Sequence, residues 1–249
     1  YVLLVPLTAC IQNSVHIIIY FFLGARVEAA SLRNASTLRH LCGATVLSPN
    51  FALTAAHCLR HKPDDYVLKL DNYCIGDNQT SPSVSVVDIL HHSLYDRYLW
   101  AHDIAMMRIR LADDITWSNE SILPESSFGL SGVCTIYGYG VDDLYSNKTS
   151  DILKAANVSI VSLDDCLLRL GPYVAPKHDS GMMCAAGEGT DACQGDSGSP
   201  LVCGGRVHGV GSAGMGCGVA GLPAIYTSIG AHLQWIRDVI HKYTNSNIL

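Results

Sequence analysis

Three residues far apart in the chain carry side chains that together could perform nucleophilic catalysis. Ser197 lies in the stretch Gly-Asp-Ser-Gly, whose glycines let the backbone approach a substrate closely. His57 lies in Thr-Ala-Ala-His-Cys, and Asp103 follows a histidine and precedes Ile-Ala. Alone, these residues could be a turn serine, a core histidine and a strand cap. Together, in the order His, Asp, Ser, they favour a catalytic triad.

The chemistry that this set predicts is the attack of a serine hydroxyl on a carbonyl carbon. A serine is a poor nucleophile until a base removes its proton, and His57 can be that base because an imidazole titrates near pH ~6.5. Asp103 would hold the ring in the required tautomer and stabilise the imidazolium that forms. The oxyanion formed on attack needs hydrogen-bond donors, and the backbone N–H groups of Gly195 and Ser197 are placed to supply them.

Length, composition and charge limit the classes of protein to consider. The chain has 249 residues, of which 49% are hydrophobic and 15% charged, so a large core is expected and wholesale disorder is excluded. The formal net charge is -6 and no dense Lys/Arg cluster occurs. Binding to nucleic acid is therefore not expected.

Ten cysteines indicate either disulfides or metal sites. No Cys-x-x-Cys pair and no Cys/His array with zinc-finger spacing occurs, so disulfides formed in an oxidising compartment are the better interpretation. Five Asn-x-Ser/Thr sequons agree with secretion, although the last lies in a strand-like stretch where a glycan is hard to place. The sequons are at Asn34, Asn78, Asn119, Asn147 and Asn157.

Residues 1–25 contain no Asp, Glu, Lys or Arg and form a hydrophobic leader. The apolar run 17–23, followed by Gly-Ala, is typical of a signal peptide, yet it has no initiator Met and no basic leading region. A membrane anchor is less favoured because polar residues interrupt the pattern, and an error in the gene model is weighted about equally with a signal. Residues 26–249 are expected to form the folded domain.

The folded domain is predicted to be all-β, with short strands separated by turns such as Ser-Pro-Asn at 48–50. Only His232–Tyr243 has a helical period with apolar residues on one face. The polar segment 118–131 is the best linker candidate. Two strand series and a closing helix predict paired barrels with a cleft between them. The strands are Ala44–Leu47, Phe51–Thr54, Tyr66–Leu70, Val84–Leu90 and Ile104–Leu111, then Val133–Tyr137, Ala156–Val161, Pro200–Cys203, Arg206–Val210 and Ala224–Ser228.

The three motifs, in this order, resemble those of the chymotrypsin/trypsin family of serine endopeptidases over roughly residues 31–243. The resemblance implies an all-β fold of two six-stranded antiparallel β-barrels with a C-terminal α-helix and an active site between the barrels. It implies a first barrel at about 31–117, and a second barrel with the helix at about 132–249. It also implies acyl-enzyme chemistry at the triad, without a metal or another cofactor.

The remaining polar candidates are given ordinary structural roles. A calcium loop is the functional interpretation of Asp71, Asp77 and Asn78, but these residues lack the family's acidic pattern, so a surface loop is favoured. Four further histidines are expected to be core or surface side chains: His91, His92, His102 and His208.

The resemblance also implies how eight cysteines pair. One disulfide would clamp the loop of the catalytic histidine and another would brace the loops around the specificity pocket, each stabilising the fold by about 2–5 kcal/mol. Cys10 and Cys74 remain, and they could bond each other, pair with another chain or stay free. The implied pairs are Cys42 with Cys58, Cys134 with Cys203, Cys166 with Cys184, and Cys193 with Cys217.

By resemblance, the specificity pocket lies beside the serine, with Asp191 at its floor, where an aspartate selects Arg or Lys by charge. Gly214 matches a wall glycine that admits a long side chain. Ala192 stands where Ser is commoner, which favours Arg over Lys. Ala224 stands where trypsin-like enzymes have Gly, and its methyl would crowd a guanidinium. The alternative is therefore a chymotrypsin- or elastase-like preference.

Two further departures concern activation and substrate binding. In the family, Asp196 pairs with a new Ile or Val amino terminus, but no Arg/Lys-Ile-Val-Gly-Gly motif occurs, so Asp196 would be an unpaired buried charge. The pocket residue Ser212 is followed by Ala213, where Trp is usual, which should open the neighbouring subsites. These departures keep a second alternative open, a catalytically inactive homologue that serves as a binding or regulatory module.

The function expected from the sequence is that of a secreted, extracellular endopeptidase that cleaves after Arg or Lys. Its partners would be protein or peptide substrates and protein protease inhibitors. We expect a monomer, without nucleic acid and without a membrane anchor.

Overall fold

A computed structural model describes residues 29–70, 83–111, 121–126, 130, 132–143, 148–150, 153–187, 192–217, 219 and 221–245. Its strands form two closed antiparallel barrels of six strands each, and a C-terminal helix follows the second barrel. The predicted all-β class and paired-barrel architecture are confirmed. The leader, half of the linker segment, Cys10 and Cys74 lie outside the described residues.

The first barrel has the strand order β1-β2-β3-β6-β5-β4 and the second β10-β11-β14-β13-β12-β7, while β8 and β9 form a separate pair. The first barrel consists of β1 Ala29–Asn34, β2 His40–Ser48, β3 Phe51–Thr54, β4 Tyr66–Leu70, β5 Ser83–His91 and β6 Ala105–Arg110. The second consists of β7 Val133–Gly138, β10 Lys154–Val161, β11 Met182–Ala186, β12 Pro200–Cys203, β13 Arg206–Ala213 and β14 Ala224–Ser228. The small pair is β8 Val141–Asp143 and β9 Lys148–Thr149.

Polar and apolar residues alternate along these strands, because successive side chains of a strand point to opposite faces of the sheet. In β5, Ser83 and Ser85 are exposed while Val84 and Val86 are 1% and 3% exposed. All ten predicted strands lie at the observed strands within a few residues. Two barrel strands, β1 and β11, were not predicted, because their Ala, Ser and Met content gives little alternation. The short pair β8 and β9 was not predicted either.

Two α-helices occur in the described part of the chain, α1 at Leu163–Leu170 and α2 at Ile229–Asn245. The sequence analysis missed α1, although Ser162 is an N-cap whose side chain accepts a hydrogen bond from the Asp165 N–H. Helix α2 includes the predicted His232–Tyr243 and begins three residues earlier. None of the described helices is long and apolar enough to cross a membrane.

A hydrophobic cluster joins the two barrels and α2, and it lies directly behind the cleft. Leu53 and Met106 of the first barrel, Val210 of the second, and Ile229 and Ile236 of α2 are all fully buried in it. Burying side chains of this size contributes about 1.5–3 kcal/mol each relative to exposure. The relative position of the barrels, and hence of the residues at their junction, is fixed by this cluster.

Candidate active site

Strand pairing brings His57 and Asp103 together. His57 lies in a short 3-10 helix, Ala56–Cys58, directly after β3, and Asp103 lies just before β6. Strands β3 and β6 are antiparallel neighbours in which Thr54 pairs with Ala105. The end of one strand therefore lies beside the start of the other, although the two residues are 46 positions apart.

The hydrogen bonds of Asp103 fix the tautomer of His57. Nδ1 of His57 lies 2.7 Å from Oδ2 of Asp103, and the His57 backbone N–H donates to Oδ1 at 2.9 Å. A carboxylate only accepts, so the ring proton is on Nδ1 and Nε2 keeps a free lone pair. The geometry therefore prepares Nε2 to accept a proton.

Asp103 is fully buried yet stays charged because donors surround it. Ser212 Oγ donates to Oδ2 at 2.6 Å, and Thr227 Oγ1 donates to the Asp103 carbonyl oxygen at 2.7 Å. Burial raises the pKa of Asp103, but the hydrogen bond and charge of His57 and the hydrogen bond of Ser212 outweigh it, so the net pKa is lowered. The sequence analysis assigned Ser212 to the pocket alone and missed Thr227, which no local motif marks.

Ser197 lies in the turn before β12, at the junction of the barrels. Its carbonyl oxygen accepts a hydrogen bond from the Gly43 N–H of the first barrel at 2.7 Å. Its Oγ donates to the Ser212 carbonyl oxygen at 3.4 Å, and no hydrogen bond to His57 occurs among the described residues. A rotation about the Ser197 Cα–Cβ bond would turn Oγ away from the Ser212 carbonyl oxygen and toward His57. The turn itself would stay in place, because its backbone holds it.

Gly198 explains why this turn needs a glycine after the serine. Its φ is +84°, a left-handed conformation that side-chain-bearing residues rarely adopt. A Cβ at this position would also overlap the Gly43 carbonyl oxygen and the Thr54 hydroxyl. The close approach of the two barrels at Ser197 therefore depends on the absence of a side chain.

The predicted oxyanion donors lie in a backbone segment that His40 supports. Gly195 has φ +97°, and its carbonyl oxygen lies 2.9 Å from His40 Nε2. Neither the Gly195 nor the Ser197 amide donates a hydrogen bond to another described residue. Both amides therefore remain available to a substrate oxygen, as an oxyanion hole requires.

His40 was not identified from the sequence because its role depends on residues far along the chain. Its Nε2–H donates to Gly195, so its Nδ1 accepts from the Ser31 hydroxyl at 2.8 Å. Arg33 Nε in turn donates to that hydroxyl at 3.1 Å. Burial lowers the pKa of His40 to about 4, so the ring is neutral at pH 7.

Asp196 has backbone partners that the sequence did not predict. The Gly140 N–H donates to its Oδ1 at 2.7 Å and the Cys193 N–H to its Oδ2 at 2.9 Å. Burial nevertheless raises the pKa of this carboxyl, more than the two amides lower it. Two backbone amides therefore bind the carboxylate within the described part of the chain, whereas the expectation from the sequence concerned a partner of opposite charge.

A cavity of about 130 Å³ opens beside Ser197. Of the predicted pocket residues, Ala192, Ser212 and Gly214 line it, together with Ala213 and Ile225. Ala224 is not among the lining residues. It is 2% exposed in β14, and a Cβ added to Gly214 would lie 3.9 Å from its Cβ, so it backs the pocket wall. Asp191 lies outside the described residues.

Four disulfides lie in the described structure, between the same cysteines that the resemblance pairs. Cys42–Cys58 joins β2 to the short helix of His57. Cys193–Cys217 joins the segment before Ser197 to the opposite wall of the cavity. Both therefore restrain the segments that carry the site residues.

Comparison with known proteins identifies the group to which this arrangement belongs. The trypsin family model, described as "Trypsin", matches residues 25–236. The chain belongs to the trypsin family. It is accordingly a trypsin-like serine endopeptidase, a hydrolase that acts on protein substrates.

Relatives of this trypsin-family chain support the assignment. It is 34% identical over 213 residues to kallikrein-12 of Homo sapiens, covering 81% of each chain. It is 33% identical over 198 residues to trypsin delta of Drosophila erecta, covering 79% of this chain and 78% of the relative. The solved structure of neuropsin, a serine protease expressed in the limbic system of mouse brain, superposes with a TM-score of 0.74 at 28% identity, covering 86% of this chain and 94% of that one.

Proposed function

We propose that this trypsin-family protein is a secreted endopeptidase that cleaves after Arg or Lys, with Ser197 as nucleophile, His57 as general base and Asp103 as the residue that orients the base. The observation that carries the proposal is the 2.7 Å contact between His57 Nδ1 and Asp103 Oδ2, which assigns Nδ1 as the donor and turns Nε2 away from the carboxylate. Few arrangements other than base catalysis use an imidazole held in this way beside a serine in a cleft.

The reaction would proceed in two halves. Ser197 Oγ turns from the Ser212 carbonyl, transfers its proton to His57 Nε2 and attacks the substrate carbonyl carbon. The Gly195 and Ser197 amides stabilise the resulting oxyanion. The imidazolium of His57 then donates its proton to the leaving amine, which departs and leaves an acyl-serine. Water, deprotonated by His57, attacks this ester and releases the acid, and Ser197 regains its proton.

Selection of a basic side chain rests on Asp191, for which the support is the motif and its offset of six residues before Ser197. Ala192 contributes an apolar side chain to the cavity wall, and Gly214 contributes no side chain. A long alkyl stem could lie against such a wall while its charged end reaches a carboxylate at the floor.

Secretion is supported by the four disulfides, since they persist in oxidising compartments and are rare in the cytosol. Asn157 of the last sequon is exposed on β10. We also propose that the protein is a monomer and that protein substrates and protein inhibitors bind at the same cleft.

The test compares the processed protein with Ser197→Ala on peptide amides that present Arg, Lys, Phe or Ala before the cut. We expect cleavage after Arg and Lys by the first protein, a loss of about 10⁴-fold or more in Ser197→Ala, and fluorophosphonate labelling of the unmodified protein alone. Equal rates for both proteins would contradict the proposed triad. Cleavage after Arg that persists in Asp191→Ser would contradict the proposed charge selection.

A second preference, for smaller uncharged side chains, is favoured by one observation. The cavity volume of about 130 Å³ is similar to the ~150 Å³ cavity that holds a benzene molecule, and Ala224 backs its wall. A library of peptides varied at the residue before the cut distinguishes this preference from the basic one.

A further inference from the structure

A buried arginine of the first barrel, Arg33, contacts the hydrogen bonds that support the proposed oxyanion donors. Its side chain lies in strand β1 and is only 1% exposed. Its Nε–H donates to the Ser31 hydroxyl at 3.1 Å, and its Nη1–H donates to the Leu38 carbonyl oxygen at 3.3 Å. A guanidinium is rarely buried without a specific set of partners, so Arg33 is a candidate for more than a structural role.

The pairing of β1 with β2 places three buried polar side chains on one face of the first barrel. Arg33 pairs with His40, and Ser31 pairs with Gly43. Residues two apart in a strand share a face, and so do residues directly paired across two strands. The register shifts between Leu32 and Arg33, and without this bulge His40 would point to the opposite face. Arg33, Ser31 and His40 thus form a buried polar row.

This face of the first barrel is the one that meets the second barrel. The Gly43 N–H donates to the Ser197 carbonyl oxygen at 2.7 Å. His40 Nε2, at the end of the buried polar row, lies 2.9 Å from the Gly195 carbonyl oxygen. The row therefore ends on the backbone segment that carries the proposed oxyanion donors.

Arg33 sets the direction of the hydrogen bonds in the buried polar row. A guanidinium can only donate, so the Arg33 Nε–H occupies a lone pair of the Ser31 oxygen. The Ser31 O–H is directed to His40 Nδ1, 2.8 Å away, and has no other acceptor among the described residues. Nδ1 accepts this bond, so the ring proton of His40 stays on Nε2, where it is donated to Gly195. Hydrogen bonds in such a chain polarise and strengthen one another.

Removal of the Arg33 guanidinium would leave the Ser31 hydroxyl free to rotate. The hydroxyl could then accept a hydrogen bond from a protonated Nδ1, which is the other tautomer of His40. In that tautomer Nε2 carries a lone pair, and a lone pair cannot bind the Gly195 carbonyl oxygen. The oxyanion segment would lose its partner from the first barrel, and the proposed donors would lose their fixed orientation.

The charged groups around His40 favour the neutral ring. Burial lowers the pKa of His40 to about 4, and the positive charge of Arg33 also lowers it, while the hydrogen bond to the oxyanion segment acts in the opposite direction. Lys69 of β4 is a second buried cation beside the row. Tyr139 contacts the His40 ring edge to face, and the carboxylate of Asp196 is bound by two backbone amides. An imidazolium at this position is therefore disfavoured at pH 7.

We propose that Arg33 is a positioning residue for catalysis, which acts through Ser31 on the tautomer of His40. The fixed ring binds the Gly195 carbonyl oxygen and keeps the proposed oxyanion donors oriented. The link from Arg33 to His40 is independent of the proposed function, whereas the effect on catalysis rests on the proposed oxyanion donors. Arg33 does not line the substrate cavity, so it should influence kcat and leave KM nearly unchanged.

The first test reads the tautomer of His40 directly and does not depend on activity. Nitrogen-15 NMR of the whole protein distinguishes a protonated Nδ1 from a protonated Nε2, and the His40 signals are those missing from His40→Phe. Arg33→Met keeps the bulk of the side chain but removes its donors and charge. We expect a single Nε2–H tautomer in the unmodified protein, and in Arg33→Met a mixture of tautomers and a pKa raised by about 1 pH unit. The matched control, Arg110→Met, removes an exposed arginine of β6 and should leave the His40 signals unchanged.

The second test measures catalysis in the same variants. Arg33→Met should lower kcat about 10-fold and leave KM within about 2-fold, because part of the stabilisation of the oxyanion is lost. A peptide aldehyde, which adds to the Ser197 oxygen and places its own oxygen in the oxyanion hole, should bind more weakly by a similar factor. Ser31→Ala should reproduce these effects. The combined variant should cost no more than either change alone, since both interrupt one chain of hydrogen bonds.

An unchanged tautomer and pKa of His40 in Arg33→Met would overturn the proposal. If Arg33→Met does not fold, Arg33→Gln keeps a polar side chain in place, and an unchanged tautomer and pKa in that variant would overturn it as well. A changed tautomer with an unchanged kcat, or a loss confined to KM, would overturn the link to the oxyanion donors. Costs that add in the combined variant would overturn the route through Ser31. Activity retained by Ser197→Ala would instead contradict the proposed function alone.

Discussion

The carbonyl oxygen of Gly195 lies 2.9 Å from Nε2 of His40, although the two residues are 155 positions apart. This hydrogen bond connects the first barrel to the backbone that carries the proposed oxyanion donors. Its partner, the hydrogen bond from Ser31, fixes the tautomer, so the ring must stay neutral to keep both contacts. The stability of the fold and the shape of the active site are therefore coupled at His40.

We expect the His40→Phe variant to change how stability depends on pH. The pKa of His40 is lowered to about 4 by burial, whereas an unfolded histidine titrates at 6.5. Above pH 6.5 both states are neutral and the wild-type contribution is complete. As the pH falls toward 4, only the unfolded state gains the proton, so this contribution falls by up to about 3 kcal/mol.

Urea unfolding at several pH values between 7 and 4 measures this effect. The difference in free energy of unfolding between wild type and His40→Phe should decrease steadily as the pH falls. A matched variant, His61→Gln, removes an exposed histidine instead. A difference for His40→Phe that stays constant from pH 7 to pH 4 would show that the ring is not held neutral by the fold.

Ser212→Ala should lower kcat with little change in KM. Ser212 Oγ donates to Asp103 Oδ2 at 2.6 Å in a fully buried position, and such a bond to a charged group is worth about 1.5–3 kcal/mol. Since Asp103 orients His57 in the proposed mechanism, kcat should fall about 10- to 100-fold. Steady-state kinetics on an Arg amide measures this fall in kcat, with the exposed Ser85→Ala as the control variant. An unchanged kcat would show that the hydrogen bond of Ser212 does not contribute to catalysis.

Two glycine-to-alanine changes should separate stability from substrate binding. A Cβ on Gly43 would overlap the Ser199 hydroxyl and lie 2.8 Å from the Ser199 Cα, so Gly43→Ala should lower stability by about 1–3 kcal/mol or more. A Cβ on Gly214 would lie no closer than 3.5 Å to any other atom. The free energy of unfolding of Gly214→Ala should therefore lie within about 0.5 kcal/mol of the wild-type value.

Gly214→Ala narrows the cavity all the same, because Gly214 lines it. We expect a raised KM for long side chains and little change for alanine before the cut. Thermal unfolding and a comparison of the two substrates check both expectations. A large loss of stability in Gly214→Ala, or none in Gly43→Ala, would contradict this description of the barrel junction.

Ala224→Gly should shift the substrate preference further toward Arg. Ala224 is almost fully buried against the wall formed by Gly214, and removal of its methyl would give a guanidinium more room. The ratio of kcat/KM for Arg over Phe should rise, while stability falls by about 1–2 kcal/mol from the lost methyl and the added glycine. An unchanged ratio would show that Ala224 has no influence on the pocket.

The sequence by itself determined the family, the all-β class, most strands and the three residues proposed for catalysis. These features depend on local patterns: alternation marks Val84 and Val86 as buried, and the settings of His57 and Ser197 are short motifs. Helix α1 and strands β1 and β11 were not predicted from the sequence, because eight or fewer residues of mixed polarity show no clear hydrophobic period.

Only the tertiary structure decided which distant groups support those residues. The hydrogen bonds from His40 to Gly195, from Ser212 to Asp103 and from Gly140 to Asp196 join residues between 56 and 155 positions apart. The ring contacts of His92 and His102 with His232 depend in the same way on how α2 packs across the barrels. Such contacts are set by barrel closure and core packing, which bring chain segments together without leaving any periodic trace in the sequence.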